Sequence, residues 1–267
     1  WMTLQSFAAD AVDKHGIAEV TASRMGGVAV ALGIGMSLAF YIVLVGDVQG
    51  SLIQLKNGWA IWLAAAGCFF LGLIEDLRNN SLSPKVRIAS KAMFMLGVFL
   101  LVPEILPSYV GVPIVDWFLG FSFIALPLVL FFSVGFINAV NTVDGANGLV
   151  SGIFVIAYAI FTLEFSHITH PAGLHGAALF LIFNVISGRL FLGDAGSYGM
   201  GAGLLCLSWR HSTFTPALIF WSVLFAAAAL DCQSQHPTMT IFTTACTSFI
   251  GKKSNQKIWR TRLRGYP

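Results

Sequence analysis

The 267-residue chain is 57% hydrophobic and only 10% charged, with a formal net charge of +3 and a mean hydropathy of +0.80. A soluble globular domain carries about 25% charged residues, so this composition excludes one and marks an integral membrane protein. The four cysteines fall in no CxxC or Cys/His grouping, which leaves neither a zinc site nor a disulfide framework and makes them unpaired thiols.

The chain opens on Trp1 with no basic n-region or signal peptide, and a sequence continuing upstream, with a further span, is expected. A membrane helix needs about 20 apolar residues. Apolar runs predict eight spans, at roughly 27–46, 58–74, 88–103, 117–137, 149–165, 174–192, 197–209 and 215–230. The fold expected is all-α, a polytopic transmembrane helical bundle of about eight spans. One transmembrane domain covers 1–231. A tail over 232–267 follows, with six basic residues and no acid.

If the spans alternate, one side holds Lys14, Arg24, Arg78, Lys85, Arg87 and the tail basics, with Lys91 and Arg189 near span ends on that side. The other side holds Lys56 and Arg210. The positive-inside rule makes the first side cytoplasmic. Glu75, Asp76, Asp144, Asp194 and Asp231 all stand at the cytoplasmic mouths of spans. Scattered surface acids would show no such preference, and ionisable residues at membrane depth default to a functional reading, although for any one of these acids a solvated span-end loop is an equal alternative.

Four stretches carry the chemistry. In "SRMGG", residues 23–27, the weakest of the four, Arg24 precedes two glycines; it could meet a phosphate, but a simple membrane-flanking Arg is the plainer reading. In "GLIEDLRNNSLSPKVRIASK", residues 72–91, the acidic pair Glu75–Asp76 is followed by Arg78, Lys85 and Arg87. Acids and bases together suit metal and diphosphate. In "NAVNTVDGANG", residues 138–148, Asn138, Asn141, Asp144 and Asn147 recur every third residue. Asn141 and Asp144 are then neighbours whether the turn is α or 3₁₀, and amide and carboxylate oxygens are hard ligands that suit Mg²⁺. A helix end with Asn caps and Gly stops is the plainer alternative. In "FLGDAGSYGMG", residues 191–201, Asp194 stands between glycines with Ser197 close behind. Ser197 could cap the next span, whose free N–H groups could hold a phosphate; Asp194 as a simple capping residue is the alternative. His167, His170 and His175 gather on the opposite side, as a polar span-end patch rather than a metal site.

Taken in order, "SRMGG", "GLIEDLRNN", "NAVNTVDGANGL" and "FLGDAGS" resemble the polyprenyl-phosphate N-acetylhexosamine-1-phosphate transferase superfamily, glycosyltransferase family 4, from about Asp13 to Asp231. The closest flavour is the transferases that start O-antigen or capsule units in the bacterial inner membrane. The resemblance implies attack by undecaprenyl phosphate on a UDP-N-acetylhexosamine, giving polyprenyl-diphosphate-sugar and UMP. It implies Mg²⁺, or Mn²⁺ in its place, held by Asn141 and Asp194. It implies that Asp76 and Glu75 activate the lipid phosphate or place the diphosphate, that Lys85 contacts phosphate, and that Asn138, Asp144, Asn147, Arg24, Arg87 and Ser197 bind substrate. The partners it implies are the lipid bilayer and no nucleic acid, with a homodimer as the candidate assembly.

The chain departs from the family in three places. Glu75 stands where an Asp is common, as does Asn147. Beyond Asp231 the text "DCQSQHPTMTIFTTACTSFIGKK" replaces the expected basic loop and His-rich motif. A truncation or frameshift near 231, leaving an impaired or inactive enzyme, is therefore expected. Two other classes compete. A transporter would place its charges near the midplane, and an intramembrane aspartyl protease would need two facing Asp and a Gly-x-Gly-Asp that "FLGD" lacks.

Overall fold

The computed structural model describes residues 9–10, 22–45, 48–78, 82–144, 148–165, 169–187 and 190–210. The last expected span and the basic tail lie outside them. The described chain is almost entirely helical: α1 (Gly26–Val45), α2 (Val48–Asn57), α3 (Trp59–Leu77), α4 (Pro84–Leu101), α5 (Pro113–Leu119), α6 (Ser122–Val143), α7 (Leu149–Glu164), α8 (Thr169–Ser187) and α9 (Gly193–Arg210). A short antiparallel ladder pairs Ala9–Asp10 with Ala22–Ser23.

The expected spans at 27–46, 58–74, 117–137, 149–165 and 174–192 fall on α1, α3, α6, α7 and α8. Four stretches are long and apolar enough to cross a membrane: Gly26–Leu44, Trp59–Leu77, Phe123–Val143 and His170–Ser187; α7 is apolar but shorter. Eight spans is therefore not what the described residues give. The expected spans at 88–103 and 197–209 are helices too, α4 and α9, but neither is among the stretches long and apolar enough by composition to cross a membrane. Helix α4 opens with Pro84, Lys85 and Arg87 and carries Lys91. Proline suits that first turn because an N–H there has no partner to lose. Helix α9 begins Gly-Asp-Ala-Gly-Ser and is buried from Gly193 to Trp209. It is buried along its length, so lipid-type apolarity is not required of it. The stretches 47–57 and 104–116, read as loops, contain α2 and run into α5.

Helix α9 packs most extensively against α3 and also touches α6 and α1. The reason is legible along α3. Ala60, Ala64, Cys68 and Gly72 are buried at four-residue steps, and Glu75 and Asp76 close the same stripe. Small residues on one helix face let two backbones approach, as is usual for helix pairs in membranes. At Gly72 the approach is closest: a Cβ there would lie 2.2 Å from the Asp194 carbonyl oxygen. On the other flank, Phe191 N donates to Ser23 O at 2.9 Å, Gly26 N to Phe191 O at 3.0 Å and Gly27 N to Leu192 O at 2.7 Å. The "SRMGG" and "FLGD" stretches are thus zipped together by backbone, and α3 holds the start of α9 from the other side.

Candidate active site

The start of α9 is where the four stretches meet. The first N–H groups of any helix have no partner within it. Here Gly193 N donates to Asp144 Oδ2 at 2.8 Å. Asp194 N donates to Asp76 Oδ1 at 3.0 Å, and Ala195 N to Asp76 Oδ2 at 2.8 Å. Two carboxylates from two other helices cap one helix, and they stand at the positive end of its dipole. Gly193 makes this possible. Its φ is +74°, and a Cβ would come 2.1 Å from Arg24 O and 2.9 Å from Asp76 Oδ2. Asp144, just past the end of α6, has its pKa pushed well above the carboxylate range by burial, and the Gly193 N–H offsets part of that. Asp76 is fully buried, at 0% exposure.

This corrects one expectation. The N–H groups of Gly193, Asp194 and Ala195 are filled by the protein's own carboxylates, so they do not offer a phosphate cradle. Ser197 and Asp194 are not the caps; both lie inside the helix. Instead Ser197 Oγ donates to Asn141 Oδ1 at 2.8 Å and lies 3.3 Å from the Asp194 carbonyl oxygen. Ser197 is fully buried and Asp194 keeps 8% exposure. Asn141, one of the pair expected to hold metal, is thereby oriented from α9, while the Asp194 contact is to its main-chain carbonyl and not to its carboxylate.

The basic groups form a second layer. Arg87 Nε pairs with Glu75 Oε2 at 2.9 Å, with Glu75 1% exposed and Arg87 22%. Tyr198 OH donates to the same Glu75 oxygen at a long 3.4 Å. Lys91 Nζ stands 3.8 Å from the centre of the Tyr198 ring and donates to Asn138 Oδ1. Asn138 also donates to Val134 O at 2.8 Å. The backbone of Arg24 passes beside Gly193.

Lys85 is not in this cluster. It is exposed on the first turn of α4, and the buried cation is Lys91, at 1% exposure. The physical reason is helical phase: Arg87 and Lys91 are four apart and share a face, whereas Lys85 precedes Arg87 by two and turns away. Tyr198 and Asn184 also belong to the site's frame and carried no flag in the sequence. Asn184 Oδ1 accepts from Gly148 N at 2.6 Å, and its Nδ2 donates to Leu190 O at 2.7 Å, so one amide pins the two loops that lead into α7 and α9. Asn147 lies outside the described residues.

The donors near Asp194 fit a hard cation. Asn141, Asp144 and Asp194 bring amide and carboxylate oxygens to the start of α9, which suit a hard cation. No group of three or more His, Cys, Asp or Glu side chains gathers at metal-holding distance among the described residues. Mg²⁺ does not need one, since it binds through one or two carboxylates with substrate phosphates and water for the rest.

The described residues thus form a helical bundle with membrane-type spans that gathers buried acids, amides and cations around the start of α9. The chain belongs to glycosyl transferase family 4, whose model matches residues 58–212, more than half of the sequence. It is similar to the phospho-N-acetylmuramoyl-pentapeptide-transferase of Clostridioides difficile strain 630, with 26% identity over 66% of this chain and 60% of the relative. It is 30% identical to the enzyme of that name from Streptococcus equi subsp. zooepidemicus strain MGCS10565, over 73% of this chain and 61% of the relative. For the Synechococcus sp. strain RCC307 enzyme the figures are 30%, 69% and 56%. The chain thus spans about three-fifths of the length of these curated relatives.

Proposed function

We propose that this chain transfers a sugar-1-phosphate of the N-acetylhexosamine type from a UDP-sugar to undecaprenyl phosphate. A phosphate oxygen of the lipid forms a bond to the sugar-linked phosphorus. The bond from that phosphorus to the bridging oxygen breaks, and UMP leaves with the bridging oxygen. The observation that carries this reading is the meeting of Asn141, Asp194, the Glu75–Arg87 pair and Lys91 at one end of the bundle. Asn141 and Asp194 would hold Mg²⁺, which when bound neutralises diphosphate charge and polarises its oxygens.

The chain's own groups divide the remaining work. Arg87, the partly exposed cation of the cluster, is placed to meet a phosphate, as a planar guanidinium does well. Asn138 is oriented by Lys91 and faces the same end. Glu75 sets the Arg87 guanidinium. The Lys/Arg bias of the loops supports a cytoplasmic position for this end, and a bacterial inner membrane as its setting. Acids clustered at one end rather than at the midplane favour this reading over transport.

Transfer by the purified 267-residue chain tests it. UMP release is measured with undecaprenyl phosphate and, separately, UDP-GlcNAc and UDP-MurNAc-pentapeptide, with Mg²⁺, Mn²⁺ or EDTA. Metal-dependent UMP release with one donor is the expected result. No release with either donor would sink the proposal for this chain.

A further inference from the structure

We propose that Asp76 is a positioning residue: it holds the first turn of α9 and, through it, Asp194, and it does not touch substrate. What Asp194 does rests on the transferase reading above; what Asp76 does rests on geometry alone.

Asp76 has both carboxylate oxygens committed, Oδ1 to Asp194 N at 3.0 Å and Oδ2 to Ala195 N at 2.8 Å. It is 0% exposed, so neither solvent nor a ligand reaches it. Two glycines clear the space for this contact. Gly72, one turn before Asp76, lets the backbone of Asp194 lie against α3, and Gly193 leaves room beside Asp76 Oδ2. Asp144 completes the cap by taking the third N–H. The result is an N-cap supplied entirely from outside α9, by carboxyl oxygens of Asp76 and Asp144. Adjacent residues on a helix point about 100° apart. Glu75 therefore turns to Arg87 and Tyr198 while Asp76 turns to α9, and the acidic pair splits into two different tasks.

Hydrogen–deuterium exchange on the full chain in detergent, with Mn²⁺ binding read by electron paramagnetic resonance, tests the assignment. The variants are Asp76→Ala, Asp76→Asn and Asp144→Asn. In Asp76→Ala, exchange in a peptide spanning 193–196 should rise on the order of tenfold, the loss typical of a cap. Peptides of α7 should not change. Asp76→Asn keeps one carbonyl oxygen for one N–H, so its rise should be smaller, and Mn²⁺ affinity should fall in the same order, Ala more than Asn. Asp144→Asn also keeps a carbonyl oxygen, for Gly193 N alone, so it should move exchange less than Asp76→Ala.

A residue that acts by touching metal or substrate with its charge would lose Mn²⁺ binding equally in Ala and Asn. Unchanged exchange at 193–196 overturns the proposal, as does raised exchange with unchanged Mn²⁺ affinity. If Asp76→Ala does not insert, the same two readouts on Asp76→Asn against wild type decide it. If wild type binds no Mn²⁺, the metal-dependent transferase reading fails, and the exchange pattern alone decides whether Asp76 caps α9.

Discussion

The hydroxyl of Ser197 on α9 donates to the side-chain oxygen of Asn141 on α6 across 2.8 Å. The bond settles which way the Asn141 amide faces and leaves a second lone pair on its oxygen. Ser197→Ala removes that control without touching a charge. Outer hydrogen bonds of this kind are worth about 10- to 100-fold in metal affinity or activity. UMP release by Ser197→Ala should fall by that much, with an unchanged gel-filtration profile in detergent. Wild-type turnover in Ser197→Ala would detach Asn141 from the site.

Asp194→Asn should be far more severe. It keeps the size of the side chain and the backbone N–H bonds to Asp76, so the fold should survive. It removes the charge that the proposed site uses, and UMP release should drop by at least about a hundredfold, the scale of one electrostatic group in a site. Thermal unfolding in detergent checks the fold, and the transfer assay checks the loss.

Gly193→Ala should be poorly tolerated. Its φ of +74° disfavours any L side chain, and the added carbon would meet Arg24 O at 2.1 Å. Strain and overpacking together should cost about 2–4 kcal/mol. Gly97 is the contrast: within α4 nothing lies within 4 Å of an added Cβ. Gly97→Ala should be neutral or stabilise by up to about 1 kcal/mol through helix propensity. Melting temperatures of the two variants should move in opposite directions or differ widely.

Lys91→Met keeps length and apolar bulk but removes the donor to Asn138 Oδ1 and the cation over Tyr198. Leaving a buried acceptor without its charged donor should destabilise the chain by about 1–3 kcal/mol. Lys85→Met, on the exposed turn, should change stability by less than about 0.5 kcal/mol. Equal effects in the two would contradict the placement of Lys91.

Arg78 stands just past the end of α3, beside the acidic pair. Cysteine placed there, on a background without native cysteines, should react with a membrane-impermeant maleimide only when the reagent has access to the cytoplasmic face. Labelling of intact cells from outside would reverse the proposed orientation.

Much of this arrangement was legible from the text. Long apolar runs place α1, α3, α6 and α8 because lipid demands apolar length and little else. The motifs flagged Glu75, Asp76, Asn141, Asp144 and Asp194, and all of them stand around the start of α9. The rest was hidden for definable reasons. Helix α9 was expected from 197 but starts at Gly193, because its caps come from Asp76 and Asp144, far away in sequence. Lys91, not Lys85, is the buried cation, and the four-residue spacing of Arg87 and Lys91 on α4 already puts those two on one face. Asn184 and Tyr198 sit in apolar surroundings, and only tertiary contact gives them partners.

Helix α9 has a consequence for how the chain is assembled in the cell. A segment that opens Gly-Asp-Ala-Gly-Ser and is enclosed by its neighbours has little affinity for hydrocarbon of its own. Such a segment should enter the bilayer after the helices that enclose it, with the small-residue stripe of α3 as its main packing surface. Since Asp76 holds the start of α9 in the finished protein, damage there should be felt as slower maturation as well as lost chemistry.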